Sequence, residues 1–240
     1  MKDAIRRNFD ASVHSYDTYE AETGQFETLA ARLATVLEER LERRPKKILD
    51  AGAGTGASTR RLTPLAEEVL ALDLSREMLA ENDAVHRLQA DFDALPLEDE
   101  SLEAVVFTAS LFLAPDPERA VAEADRILRP GGIVAAVAPL GWYTDDGRDV
   151  FETLPRQSRS PSDVTDVERA LDERFTLETG VWVDQISADR LRSFHSIPAV
   201  AARLYPRLPP EARVRKAQAL LEDVEGPLEA RWQWLIGERE

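Results

Sequence analysis

The chain contains no cysteine in 240 residues. That rules out disulfide staples, thiolate nucleophiles and thiolate metal ligands, and it accords with a reducing compartment. Histidine is nearly absent as well. His14, His86 and His195 stand far apart and form no H-x-x-x-H pair, so no metal site is expected. No apolar run approaches the ~20 residues that span a bilayer, and the N-terminus lacks the apolar core of a signal peptide. These absences lead to the expectation of a cytoplasmic protein with no membrane partner. Lysine is scarce, at Lys2, Lys46, Lys47 and Lys216 alone, and the formal net charge is −15. A surface of that sign repels nucleic acid, so DNA and RNA are not expected partners. Acid excess with arginine in place of lysine suits a salt-loving or high-GC source and says nothing about chemistry.

What the chain does have is a 43% hydrophobic content, enough for a sizeable core. It also has one dense motif, Ile48-Leu49-Asp50-Ala51-Gly52-Ala53-Gly54-Thr55-Gly56. Lys46 to Asp50 reads as a short buried strand. Three glycines follow at alternate positions, and Thr59-Arg60-Arg61-Leu62 begins a helical pattern. A strand, a glycine turn and a helix start let backbone approach a ligand closely, because side chains at Gly52, Gly54 and Gly56 would block it. The helix N-terminus adds unpaired N–H groups.

Two ligands compete for such a turn. Gly52 to Ala57 satisfies the dinucleotide pattern G-x-G-x-x-A, which is weak on its own. The alternative is the E/D-x-G-x-G-x-G turn that holds S-adenosylmethionine. Asp50 favours the second. A carboxylate two residues before the first glycine suits a sulfonium and an ammonium better than a pyrophosphate. Val69-Leu70-Ala71-Leu72-Asp73 is a second apolar run ending in an acid, 23 residues after Asp50. An acid at that strand tip reaches both ribose hydroxyls. Asp73 fits a nicotinamide nucleotide equally well and also serves as a cap for the next helix.

Further along come Leu72-Asp73-Leu74-Ser75-Arg76-Glu77-Met78-Leu79, Ala90-Asp91-Phe92-Asp93-Ala94-Leu95-Pro96-Leu97, Ser101-Leu102-Glu103-Ala104-Val105-Val106 and Arg126-Ile127-Leu128-Arg129-Pro130-Gly131-Gly132. With the glycine turn, these five motifs in order resemble the class I S-adenosylmethionine-dependent methyltransferases, in the broad type 11 subgroup, from about Lys46 to Pro139. Asn8-Phe9-Asp10 and Ser15-Tyr16-Asp17 are similar, over a shorter stretch, to the malonyl-carrier-protein methyltransferases of biotin synthesis. The resemblance implies a Rossmann-like, doubly wound α/β sheet of seven strands, mostly parallel with one antiparallel strand, plus a helical cap. It implies S-adenosylmethionine as cofactor, with Asp50, Ala51, Gly52, Gly54 and Gly56 at its methionine end and Asp73 at the ribose. Leu74 or Met78 is expected on an adenine face, Asp91 and Phe92 at the adenine edge, and Thr108 on the pocket wall.

The strand and helix periods agree with that fold class. Expected strands are Lys46 to Asp50, Glu68 to Leu72, Val85 to Gln89, Leu102 to Thr108, Ile133 to Ala138, Thr176 to Gln185 and Gly226 to Ile236. Residues 1–15 are expected to be weakly ordered unless they fold over a ligand. Glu20 to Leu41 reads as one long amphipathic helix, Trp142 to Gly147 and Ser158 to Asp163 as loops, and Val150 to Pro155 as a short helix. The expected divisions are a lid and helix (1–45), the cofactor core (46–139), a substrate-facing cap with the sixth strand (140–225) and a last core strand (226–240).

Methyl transfer from a sulfonium chiefly requires alignment and desolvation, with reacting atoms ~3–3.5 Å apart. Many relatives carry two histidines after the fourth strand, where this chain has Leu111-Phe112-Leu113. Tyr16, Tyr19, Tyr143 and His195 are the candidates for a catalytic group, with Trp142 another residue near the rim. Arg148, Arg156 and Arg159 are candidates for holding a substrate carboxylate. The expected activity is methyl transfer to a small acceptor through oxygen, a carboxylate included, by a monomer or homodimer. A non-catalytic nucleoside-binding protein and an NAD-dependent oxidoreductase are the alternatives.

Overall fold

The computed structural model describes residues 1–152 and 164–240. The chain begins with helices α1 (Lys2–Asp10), α2 (Val13–Thr23) and α3 (Gln25–Glu38). It then alternates through β1 (Lys47–Ala51), α4 (Ala57–Leu62), β2 (Glu68–Asp73), α5 (Arg76–Ala80), β3 (His86–Gln89), β4 (Leu102–Thr108), α6 (Pro117–Ile127) and β5 (Leu128–Thr144). After the undescribed stretch come α7 (Val164–Asp172), β6 (Thr176–Ile186), α8 (Ala188–His195), α9 (Pro198–Leu204), α10 (Pro210–Leu220) and β7 (Leu228–Glu238). The strands form a seven-stranded sheet in the order β3-β2-β1-β4-β5-β7-β6. β7 runs antiparallel to both of its neighbours and the other pairings are parallel. This is the expected Rossmann-like α/β architecture with one antiparallel strand.

The strand alternation explains the two cores. Leu49, Val105, Phe107, Val134 and Ala136 face α6 and α7, where Val121, Ala124, Ile127 and Leu171 are buried. Ile48, Ala104, Val106, Ala135 and Val137 face the other way, onto Leu29, Leu33 and Leu37 of α3 and Leu191 of α8. A central strand buried on both faces needs helices on both sides, and the period of α3 supplies one of them.

Three local expectations are corrected. The stretch Glu20 to Leu41 is two helices, broken at Gly24, which adopts φ 55°. The Gly24 N–H donates to Glu20 O, and the Glu20 carboxylate accepts from the N–H groups of Phe26 and Glu27, capping α3. The periodic apolar residues, from Phe26 on, all fall beyond the break, so the period marks α3 alone. Residues 1–15 are helical over most of their length, because Phe9 and Tyr16 pack with Phe26, Phe194, Ile197 and Val200 into a small separate core. Trp142 to Thr144 is strand and not loop. A register shift between Pro139 and Gly141 absorbs the proline, and β5 continues along β7 to the Thr144–Leu228 pair. Residues 150–152 form a turn, while Ser158 to Asp163 and the rest of the helix expected from Val150 to Pro155 lie outside the described residues. No helix among the described residues is long and apolar enough to cross a membrane.

Candidate cofactor and acceptor cleft

The parallel strands point their carboxyl ends at one edge, with β1 at the centre between β2 and β4, where open α/β sheets bind ligands. A cleft opens there, enclosing about 1030 Å³ with its mouth included. Gly52, Ala53, Gly54 and Thr55 form its floor. Asp73, Leu74 and Met78 form one wall, with Ala90, Asp91 and Phe92 beside them, and Thr108, Ala109, Ser110 and Leu113 form the opposite wall. Ile5, Phe9, Tyr16 and Phe26 make an apolar roof.

The turn is fixed from below. Gly52 and Ala53 both donate to Leu72 O, at 2.7 and 2.9 Å. The Gly54 N–H donates to Asp73 Oδ2 at 3.0 Å, and Ser75 N–H donates to Asp73 Oδ1 at 2.8 Å. Gly52, Gly54 and Gly56 all have positive φ, which glycine adopts freely. A Cβ on Gly52 would lie 2.4 Å from Ser110 Cβ. That contact, and the Ser110 hydroxyl donating to Ala51 O at 2.6 Å, lock the β1 turn to the end of β4.

Asp50 is placed differently from expectation. It is fully buried and is not a wall of the cleft. Its carboxylate accepts from the Ser58 hydroxyl at 2.7 Å and the Thr59 hydroxyl at 2.6 Å, one helical turn past the glycines. Burial pushes its pKa up to about 6, against the opposing pull of those two hydroxyls. Asp50 therefore holds the start of α4 to the end of β1 from beneath the turn. Ala51 and Gly56 also lie behind the surface, and Gly56 caps α4. Asp73 sits on the wall. Burial likewise pushes it up to about 6, while the N–H groups of Ser75, Gly54 and Leu74 pull it down.

Of the four catalytic candidates, only Tyr16 reaches the cleft. Burial raises its pKa, so the phenol stays protonated at neutral pH. Tyr19 is buried in the lid core with its hydroxyl on Gln25. Tyr143 stacks under the Arg231 guanidinium at 4.1 Å. His195 packs against Trp142, Phe151 and Phe194. Its Nδ1 lies 3.0 Å from Leu191 O, and burial lowers its pKa to about 4. It is neutral at pH 7 and away from the cleft wall. Arg148 is an exposed surface residue paired with Asp146 at 2.8 Å. Arg156 and Arg159 lie outside the described residues.

Sequence reasoning missed several residues that shape the site. Asn82 donates to Gly54 O and to the Thr59 hydroxyl, tying the turn to the segment after α5. Ser58 and Thr59 were legible in principle, since hydroxyls in the first turn after the glycines face back toward Asp50. Lys2 gave no signal in sequence. At the cleft mouth it pairs with Asp91 at 2.8 Å and with Asp93, while at the other end of α1 Asp10 accepts from Ser75 at 2.6 Å. α1 is thus pinned at both ends along this wall, beside Asp91 at one end and beside Asp73 at the other. Lys2→Met is expected to speed ligand dissociation severalfold and to weaken its salt dependence, read by stopped-flow fluorescence. An unchanged off-rate would mean that α1 does not gate the cleft.

The cleft has the features that an S-adenosylmethionine-sized nucleoside needs. It has bare backbone at Gly52 and Gly54, a carboxylate at the tip of β2, and apolar faces at Leu74 and Met78. Thr108 Oγ1 is buried on the wall with no hydrogen-bond partner. A buried hydroxyl left unpaired by the protein is ready for a ligand group.

Comparison with known proteins follows the same lines. The family model described as a methyltransferase domain matches residues 49–136. The malonyl-[acyl-carrier protein] O-methyltransferase of Pseudescherichia vulneris is 35% identical over 138 residues, 56% of this chain and 53% of that protein. The chain spans about half the length of the curated relatives it matches. The Bacillus subtilis YcgJ protein superposes with a TM-score of 0.61 at 16% identity, over 87% of this chain and 98% of that one. Phosphoethanolamine N-methyltransferase 2 of Haemonchus contortus, solved with phosphomonomethylethanolamine and S-adenosylhomocysteine, superposes with a TM-score of 0.59 at 17% identity. That match covers 96% of this chain and 57% of the other. At these identities the two structures establish the fold.

Proposed function

We propose that this chain, whose residues 49–136 form a class I S-adenosylmethionine-dependent methyltransferase domain, transfers a methyl group to an oxygen of a small, largely apolar acceptor. The observation that carries this reading is the clamp at the glycine turn. Gly54 N–H and Ser75 N–H hold the Asp73 carboxylate beside backbone that no side chain covers. The bound cofactor supplies a methyl group on a sulfonium, an already activated leaving group.

The residues of this chain do the remaining work. Asp73 accepts the ribose hydroxyls, and Leu74 and Met78 pack on the base. Asp91 and Phe92 meet the base edge once Lys2 yields Asp91. Thr108 offers its unpaired hydroxyl to the amino-acid end, and Asp50 keeps the turn in place through Ser58 and Thr59. Ile5, Phe9, Tyr16 and Phe26 exclude water above the reacting atoms, which strengthens every electrostatic contact beneath them. No histidine lines the cleft, and the Tyr16 phenol stays protonated, so the acceptor must be one that needs no strong base. Residues 1–23 act as the lid, and α8–α10 beside them as the acceptor side.

Calorimetry with S-adenosylmethionine, S-adenosylhomocysteine and NAD tests the reading. Micromolar binding of the first two and none of NAD is expected. NAD binding alone would reject it. Cofactor binding without methyl transfer to any compound of a metabolite extract would favour a non-catalytic nucleoside-binding role. The P. vulneris relative acts on a carrier-bound malonyl group, an O-methyl acceptor by its name. That supports oxygen as the acceptor atom here.

A further inference from the structure

The sheet has two edges, and they differ. β3 is four residues long and carries His86 and Arg87. β6 is eleven residues long, and among the described residues it pairs with β7 alone. Its ladder runs without a register shift from the Thr176–Glu238 pair to the Ile186–Leu228 pair. Edges of that kind are usually blunted by lysine, proline or a bulge, because a row of unpaired N–H and C=O groups invites another strand. β6 has no lysine, no proline and no bulge. Its two acids are answered within the chain, Asp184 by Arg32 at 2.7 Å and Glu178 by Arg40.

Side chains along β6 alternate between two faces. Trp182 and Asp184 lie toward α3, where the Arg32 guanidinium carbon sits 5.8 Å from the Trp182 ring centroid. Thr179, Val181, Val183 and Gln185 share the opposite face, and all four are exposed. Val181 and Val183 are 52% and 50% exposed. This face has the same pattern in both directions from Trp182: first a valine, then an uncharged polar residue. We propose that β6 is the docking edge for a second copy of this chain, paired antiparallel about a two-fold axis at Trp182. An axis perpendicular to the sheet keeps each face on its own side. Val181 then lies opposite the second copy's Val183, and Thr179 opposite its Gln185, so both exposed valines are covered in each copy. On the α3 side Asp184 meets the second copy's Gly180, and no like charges stand directly opposed. Moving the axis to Val181 would set Glu178 against Asp184, and moving it to Val183 would set Val181 against Gln185. A strand that pairs with itself needs such a mirrored pattern, whereas a foreign strand does not. The contact is isologous and closes at two copies, joining two seven-stranded sheets into one. None of the described residues that line the cleft belongs to β6, so this edge is independent of the activity proposed above.

Sedimentation velocity on the full chain at micromolar concentration should show a species of twice the 26.8 kDa chain mass. The double variant V181K/V183K should weaken that association about 100-fold or more, because each new lysine faces another across the axis. Its circular dichroism and urea denaturation should match those of wild type, since both positions are exposed. The register is read separately, and that measurement holds even where the lysine variant fails to fold. The chain has no cysteine, so single thiols report on it cleanly. A mixture of the V181C and V183C proteins should form a disulfide-linked dimer under mild oxidation faster than either protein alone. Opposed Cβ atoms ~4.5–5.5 Å apart lie near bonding geometry, and diagonal ones do not. A wild-type chain that stays monomeric, a dimer that folded V181K/V183K leaves intact, or a mixture that links no faster than its separate components would overturn the proposal.

Discussion

Gly52→Ala is expected to abolish measurable cofactor binding and to lower the stability of the fold, whereas Gly54→Ala should do the first far more than the second. At Gly52 two penalties coincide. Its φ of 80° strains any L-residue, at a cost of roughly 1–2 kcal/mol. The new Cβ would also sit 2.4 Å from Ser110 Cβ and 3.3 Å from Phe92 Cζ. Relief requires Ser110 to move, which breaks its bond to Ala51 O, worth about 1 kcal/mol net. Urea denaturation should therefore show a loss of ~2–4 kcal/mol, within the range for overpacking combined with backbone strain. Gly54 has a φ of 52° but nothing within 4 Å of a built Cβ. Gly54→Ala should thus cost only ~1 kcal/mol in stability. Its methyl group would point into open cleft, so the affinity for S-adenosylhomocysteine should drop by about 100-fold from lost close approach. Calorimetry on both variants separates folding from binding. Wild-type affinity in Gly54→Ala would mean that the ligand never nears the turn.

The contrast between these glycines shows what the sequence could and could not reveal. The alternation Gly52, Gly54, Gly56 after an apolar strand was enough to place a turn, because positive φ is a local demand that glycine meets. Strand positions were legible for the same reason: β1, β2 and β4 are short apolar runs bounded by polar residues. The direction of Asp50 was not legible. Its position two residues before Gly52 is compatible with a carboxylate facing the ligand or facing α4. Only the partners Ser58 and Thr59 decide between them. The break at Gly24 was hidden because the periodic apolar residues begin only at Phe26, beyond it, so the period says nothing of how Glu20 to Thr23 join α3. The continuation of β5 past Pro139 was hidden because the register shift that rescues the proline depends on β7, about 90 residues later in the chain. Lys2 was invisible for a third reason. It acquires meaning only from a residue far away in sequence, Asp91, and long-range partners leave no spacing signal.

The pH dependence of stability and of cofactor affinity should run in opposite directions. Asp50 and Asp73 both rise from 3.8 to about 6 in the folded protein, chiefly through burial. In the unfolded chain they titrate near the ordinary carboxylate value. Between those limits the folded state holds protons that the unfolded state has released. Their contribution to stability is therefore fully present below about pH 4 and is lost as pH rises through 6. The cofactor-free protein should gain on the order of 1 kcal/mol or more between pH 7 and pH 5 from these two groups, read by urea denaturation in constant salt. Affinity depends on the other protonation state. On the proposed reading the ionised Asp73 accepts ribose hydroxyls and faces a cationic ligand, so binding should be constant above pH 7. Below 6 it should weaken, by at most tenfold per pH unit. Asp73→Ala should cost ~1.5–3 kcal/mol of affinity at pH 7.5, the scale of hydrogen bonds to a charged group. It should also flatten the acid limb of the affinity profile. Asp50 does not touch the cleft, so Asp50→Asn should change the stability profile and leave the shape of the affinity profile as it is. A wild-type affinity that is level from pH 7.5 to 5, or an Asp73→Ala variant that binds as tightly as the parent, would place the nucleoside away from the tip of β2.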